Sequence, residues 1–121
     1  MPVFRTERMN IMTKVMINPG VCGLVTAVEA RSEDQMEVEL TVKSGCEAVR
    51  NMMKELGNTF DAFSICLGKP GTGPFYDYAR EHFPGHASCP VIAGILKCAE
   101  VECGLALPRE ASITFEKEDG R

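Results

Sequence analysis

Residues 36–43, Met-Glu-Val-Glu-Leu-Thr-Val-Lys, alternate apolar and polar side chains without a break. Successive side chains on a strand point to opposite faces, so this octet predicts a strand with Met36, Val38, Leu40 and Val42 in a core and the four partners in water. A sheet with one wet face belongs to antiparallel architectures, because parallel sheets are covered on both sides. The rest of the chain has to supply further strands and a layer of helices for the dry face.

It supplies both. Thr13–Ile17 is a short β-rich segment running into the turn Asn18-Pro19-Gly20, and Leu24–Arg31 reads as a second strand before the polar turn Ser32-Glu33-Asp34. After Ser44-Gly45-Cys46, the spacing of Val49, Met52, Met53 and Leu56 predicts a helix that stops at Gly57-Asn58. Asp61–Leu67 and Phe75–Phe83 predict two shorter helical pieces on either side of the loop Gly68-Lys69-Pro70-Gly71-Thr72-Gly73-Pro74. From Pro90 to Gly104 runs a long helix with Ile92, Leu96, Ala99 and Cys103 on one line, a wide apolar face for a sheet. Ser112–Glu116 reads as a last strand with Ile113 and Phe115 inward. The expected fold is α+β in two layers: a mostly antiparallel sheet of about four strands with helices on one face, in the order β-β-β-α-α-α-α-β. A single domain is expected over residues 13–116, with an N-terminal tail at 1–12 and a C-terminal tail at 117–121.

Charge limits the partners. The 121 residues carry a formal net charge of −4, and the thirteen Lys and Arg are scattered, so neither nucleic acid nor an anionic membrane is indicated as partner. No apolar run approaches the length of a membrane span, and residues 1–8 have no signal-peptide character, so the expected location is the cytoplasm. In a reducing compartment six cysteines are metal ligands, reactive thiols or buried fillers before they are disulfides.

Three of the six fall at bends. Cys22 follows the Asn-Pro-Gly turn, Cys46 stands at a strand-to-helix junction, and Cys89 precedes Pro90 at the start of the long helix. Proline fits the first helical position, so Cys89 is expected as the N-cap, where the helix dipole favours a thiolate. Turns and helix ends are also where a metal site draws its ligands, since backbone N–H groups can point at the sulfurs there. Cys98 and Cys103 sit at periodic positions inside the long helix and are assigned to packing. A fourth ligand is open between His86, giving three cysteines and a histidine for zinc, and Cys66, giving four thiolates for zinc or an iron–sulfur cluster. The spacing lacks paired Cys-x-x-Cys knuckles.

Other chemistry finds less purchase. In the loop at Lys69 the lysine precedes the later glycines and no Ser or Thr follows it directly, so the phosphate-loop pattern fails and the stretch reads as a turn. Glu37 and Glu39 belong to a solvated face, and Glu100 and Glu102 to the polar side of the long helix. The readings carried forward are a small metal-binding protein with a structural, carrier or electron-transfer role, a thiol enzyme or redox protein with Cys89 as its reactive group, and a homo-oligomeric interaction module, such as a homodimer, with inert cysteines.

Four stretches in this order carry a resemblance: Asn18-Pro19-Gly20-Val21-Cys22-Gly23, Lys43-Ser44-Gly45-Cys46, His86-Ala87-Ser88-Cys89-Pro90-Val91 and Gly104-Leu105-Ala106-Leu107-Pro108. Through them the chain resembles a family of small uncharacterised proteins found mainly in anaerobic bacteria and archaea. The resemblance implies a compact domain of strands and helices without an assigned activity. It favours Cys22, Cys46 and Cys89 over Cys66, Cys98 and Cys103 as the shared site.

Overall fold

Three consecutive strands, β1 (Thr13–Ile17), β2 (Thr26–Arg31) and β3 (Glu37–Ser44), form an antiparallel meander in a computed structural model that describes residues 12–117. Helix α1 (Glu47–Leu56) leads to a fourth strand, β4 (Thr59–Asp61), which pairs antiparallel with the start of β3, so the sheet order is β1-β2-β3-β4. Three helices follow: α2 (Ala62–Cys66), α3 (Pro74–His82) and α4 (Val91–Glu102). The expected tails lie outside the described residues, save Met12 and Lys117.

The alternation is realised in space from Glu37 onward, whereas Met36, expected in the core, lies before β3 and is 56% exposed. Val38 and Leu40 are buried while Glu37, Glu39, Thr41 and Lys43 are exposed, and on β2 Val28 and Ala30 face the same core. The opposite face of the sheet is polar and carries an ion pair between Lys14 and Glu29 at 3.7 Å. Helix α4 covers the dry face, with Val91, Ile92, Ile95, Cys98 and Ala99 buried against the strands. Fully burying one such aliphatic side chain stabilises by roughly 1.5–3 kcal/mol, so this face dominates the packing. Phe60 of β4 meets Phe75 of α3 with ring centroids 4.9 Å apart, which ties the short helix to the sheet edge.

Local chemistry sets the turn into β3. The Asp34 carboxylate accepts the N–H groups of Met36 (2.9 Å) and Glu37 (3.0 Å), and Ser32 Oγ donates to Glu37 O (2.6 Å) while accepting from Gln35 N (2.9 Å). Those backbone N–H groups, Glu37 first, hold the Asp34 carboxyl below its ordinary value.

Several expectations need correction. The fourth strand is not Ser112–Glu116 but Thr59–Asp61, so the order is β-β-β-α-β-α-α-α. Residues 111–117 form no regular structure, and Ile113 and Phe115 are 85% and 88% exposed. Alternation specifies a strand only when an edge is there to pair with it, and nothing in five residues says where that edge is. Asp61 closes β4 and caps α2 instead of lying inside a helix, and β2 begins at Thr26, leaving Leu24 and Val25 in the turn. The long helix has Pro90, not Cys89, at its N-cap: the Pro90 carbonyl accepts the first helical bond from Gly94 N (3.0 Å). Cys89 N–H turns back to His86 O (3.2 Å), so the thiol stands one residue outside the helix.

Glu102 departs furthest from its expected place on a polar face. It is 1% exposed and accepts from Thr13 N (3.2 Å), Thr13 Oγ1 (2.7 Å) and Ser32 N (3.0 Å). A buried carboxylate is tolerated when its lone pairs are met in this way. Here it clamps the end of α4 to the start of β1 and the end of β2.

Candidate functional site

The ladder registers fix which ends of the strands lie together. Ile17 at the end of β1 pairs with Thr26 at the start of β2, and Thr26 pairs with Ser44 at the end of β3. The hairpin 18–25 and the junction 44–46 therefore occupy one end of the sheet. They are tied by Gly45 N–H to Val25 O (3.1 Å) and by a 2.7 Å bond between the hydroxyls of Thr26 and Ser44. Helix α4 runs back along β1, with its last turn at Thr13 through Glu102 and Gly94 of its first turns against Ile17. Its N-terminal end, and the loop that feeds it, thus reach the same end of the sheet.

Three cysteines arrive there on three separate elements. Cys22 is exposed in a hairpin held by Gly20 N–H to Asn18 Oδ1 (3.1 Å) and Gly23 N–H to Gly20 O (3.0 Å). Gly20 (φ +100°) and Gly23 (φ +70°) bracket it with backbone that side-chain-bearing residues rarely adopt. Cys46 is half-buried and is the N-cap of α1, with its own N–H on Ser44 Oγ (3.0 Å). The helix-end position expected of Cys89 thus belongs to Cys46. Cys89 is exposed on the incoming loop, three residues after His86, which is also exposed.

Cys66 lies elsewhere. It is half-buried between α2 and α4 with its Sγ 3.7 Å from Leu96 O. Burial first, then the Glu100 carboxylate and Cys103, push its thiol up to about 12. The same cause, reinforced by Glu102, pushes Cys98 up to about 12, and its Sγ donates to Thr13 O (3.3 Å). Cys98 and Cys103 are both buried, as their helical spacing implied.

No three His, Cys, Asp or Glu side chains among the described residues stand grouped as a ready metal cage. What the chain brings together is loops, with Cys22, Cys46, Cys89 and His86 on them and Cys66 apart. Arg50, which the sequence reading passed over, belongs to this end too: its Nη1 donates to Ser44 O at 3.0 Å. Its signal was present in the spacing, since Arg50 follows Cys46 by one helical turn. A helix N-terminus with a guanidinium beside it is a place where negative charge is favoured.

Fold and site together define a small α+β domain with a one-sided antiparallel sheet and thiols on the loops at one end. The chain belongs to a family of unknown function (DUF6951), whose family model matches residues 13–115. No curated protein and no solved structure matches it. No helix among the described residues is long and apolar enough to cross a membrane.

Proposed function

We propose that this is a small metal-binding protein that takes zinc, or the iron of an iron–sulfur cluster, on Cys22, Cys46 and Cys89. His86 completes the set, since it shares their end of the sheet and Cys66 does not. The observation that supports the reading is that three cysteine-bearing loops, far apart in sequence, emerge at one end of the sheet. A three-cysteine, one-histidine set suits tetrahedral zinc, and the glycines around Cys22 let its loop close over an ion. Ligand binding and loop closure are then one event. The role is structural, carrier-like or electron-transferring, in the reducing cytoplasm of an anaerobe, where exposed thiols survive.

Elemental analysis and the visible spectrum of protein purified without oxygen test this directly. The expected result is about one zinc per chain, or brown protein whose colour comes from a cluster. Metal-free protein would refute the reading. If Cys89 then alkylates much faster than the other thiols at neutral pH, the protein is a thiol enzyme or redox protein instead.

A further inference from the structure

The edge of β3 is only half used. Its pairing with β4 stops at Glu39 and Thr59, with one further bond from Leu40 N–H to Asn58 O (2.8 Å). At the other end Gly45 N–H points to β2, donating to Val25 O. Backbone groups alternate in direction along a strand, so Val42 N–H and C=O point away from β2, past the start of β4. They face a groove of about 350 Å³ lined by Leu40, Thr41, Val42, Met53, Gly57 and Asn58.

The same chain carries a strand-like sequence that its own sheet does not take up. Ser112-Ile113-Thr114-Phe115-Glu116 alternates as a half-buried strand does, yet Ile113 and Phe115 are among the most exposed apolar side chains of the described residues. The family match runs to residue 115, so the segment belongs to the shared domain. Charge does not oppose the pairing: Arg109-Glu110 precedes the segment and Glu116-Lys117 closes it, while Lys54 and Glu55 stand beside Met53, so each side carries both signs.

We propose that residues 112–116 of one copy add as a strand to the β3 edge at Val42 of a second copy, with Ile113 and Phe115 seated in the groove against Val42 and Met53. The second copy is the occupant because within one chain the segment stands away from its own body. Exchange in both directions gives a two-fold dimer with two identical contacts. It also covers an edge that would otherwise invite non-specific pairing.

The 121-residue chain, sedimented over a range of concentrations, is expected to be a dimer that dissociates on dilution. The variant Ile113→Arg/Phe115→Arg is expected to be a monomer with an unchanged circular dichroism spectrum, because both side chains are exposed in the lone chain. Amide exchange gives a second readout on the native protein: Val42 N–H is slow in the dimer and fast after dilution. A chain that is monomeric at all concentrations overturns the proposal, as does a dimer indifferent to the double substitution. Val42 protection independent of concentration also overturns it and assigns the groove to the chain's own segment.

Discussion

Gly94 of α4 lies so close to Ile17, the last residue of β1, that a Cβ on Gly94 would overlap Cγ1 and Cδ1 of Ile17. This approach sets the first turns of α4 onto the end of the sheet and brings the Cys89 loop toward the end that carries the Cys22 hairpin. Alanine improves helix propensity by about 0.8–1 kcal/mol, but overpacking a filled site costs about 1–3 kcal/mol. Gly94→Ala is therefore expected to lose about 1 kcal/mol net in urea unfolding. In an Ile17→Ala background the same change is expected to stabilise. Equal effects in the two backgrounds would show that the residues are not coupled.

Glu102→Ala leaves the N–H groups of Thr13 and Ser32 without their acceptor inside the protein. The expected loss is about 3 kcal/mol, the desolvation cost of unpaired buried donors. Glu102→Gln, which keeps one acceptor oxygen, should lose less. Urea midpoints at a constant slope measure both, and an alanine variant as stable as the parent would show that the clamp contributes nothing.

The thiols divide into two reactive classes. Folded protein stripped of metal by a chelator and treated with iodoacetamide at mildly alkaline pH is expected to label at the exposed Cys22 and Cys89, with Cys66, Cys98 and Cys103 labelling only after unfolding. Mass spectrometry of the peptides reads the pattern. A pH dependence follows from the same burial. Cys66 and Cys98 keep their protons in the fold up to about 12, whereas in the unfolded chain they ionise near the ordinary value of 9.0. Between those limits the native state holds more protons, so stability is complete below the lower one and falls as pH rises toward the higher. Cys98→Ala should flatten that alkaline decline, and an unchanged slope would remove the explanation.

Metal content should follow the geography of the ligands. Cys22→Ser, Cys46→Ser, Cys89→Ser and His86→Ala are each expected to lower zinc or iron per chain, and Cys66→Ser to leave it unchanged. If Cys66→Ser strips the metal and His86→Ala does not, the fourth ligand is the thiol, and α2 must move to deliver it.

What could be read along the chain was whatever depends on neighbours in sequence. The strict alternation of residues 37–43 set both faces of β3, though Met36 at its head stayed exposed; the spacing of Val49, Met52 and Leu56 set α1, and the periodic places of Cys98 and Cys103 marked them as packing. These patterns are local because strand and helix periods are properties of the backbone. Cys22, Cys46 and Cys89 stood out for the same reason, each at a bend that turn residues announce.

Position in space was decided elsewhere. Three residues, Thr59–Asp61, became a strand because β3 offered them an edge, and Ser112–Glu116 did not, although its alternation is the better of the two. Glu102 went inside because Thr13 and Ser32, 89 and 70 positions away, present donors there. The helix cap passed from Cys89 to Pro90 through a loop that turns back to His86. Each outcome depends on a partner remote in sequence, and a chain read residue by residue holds the need for that partner without its address.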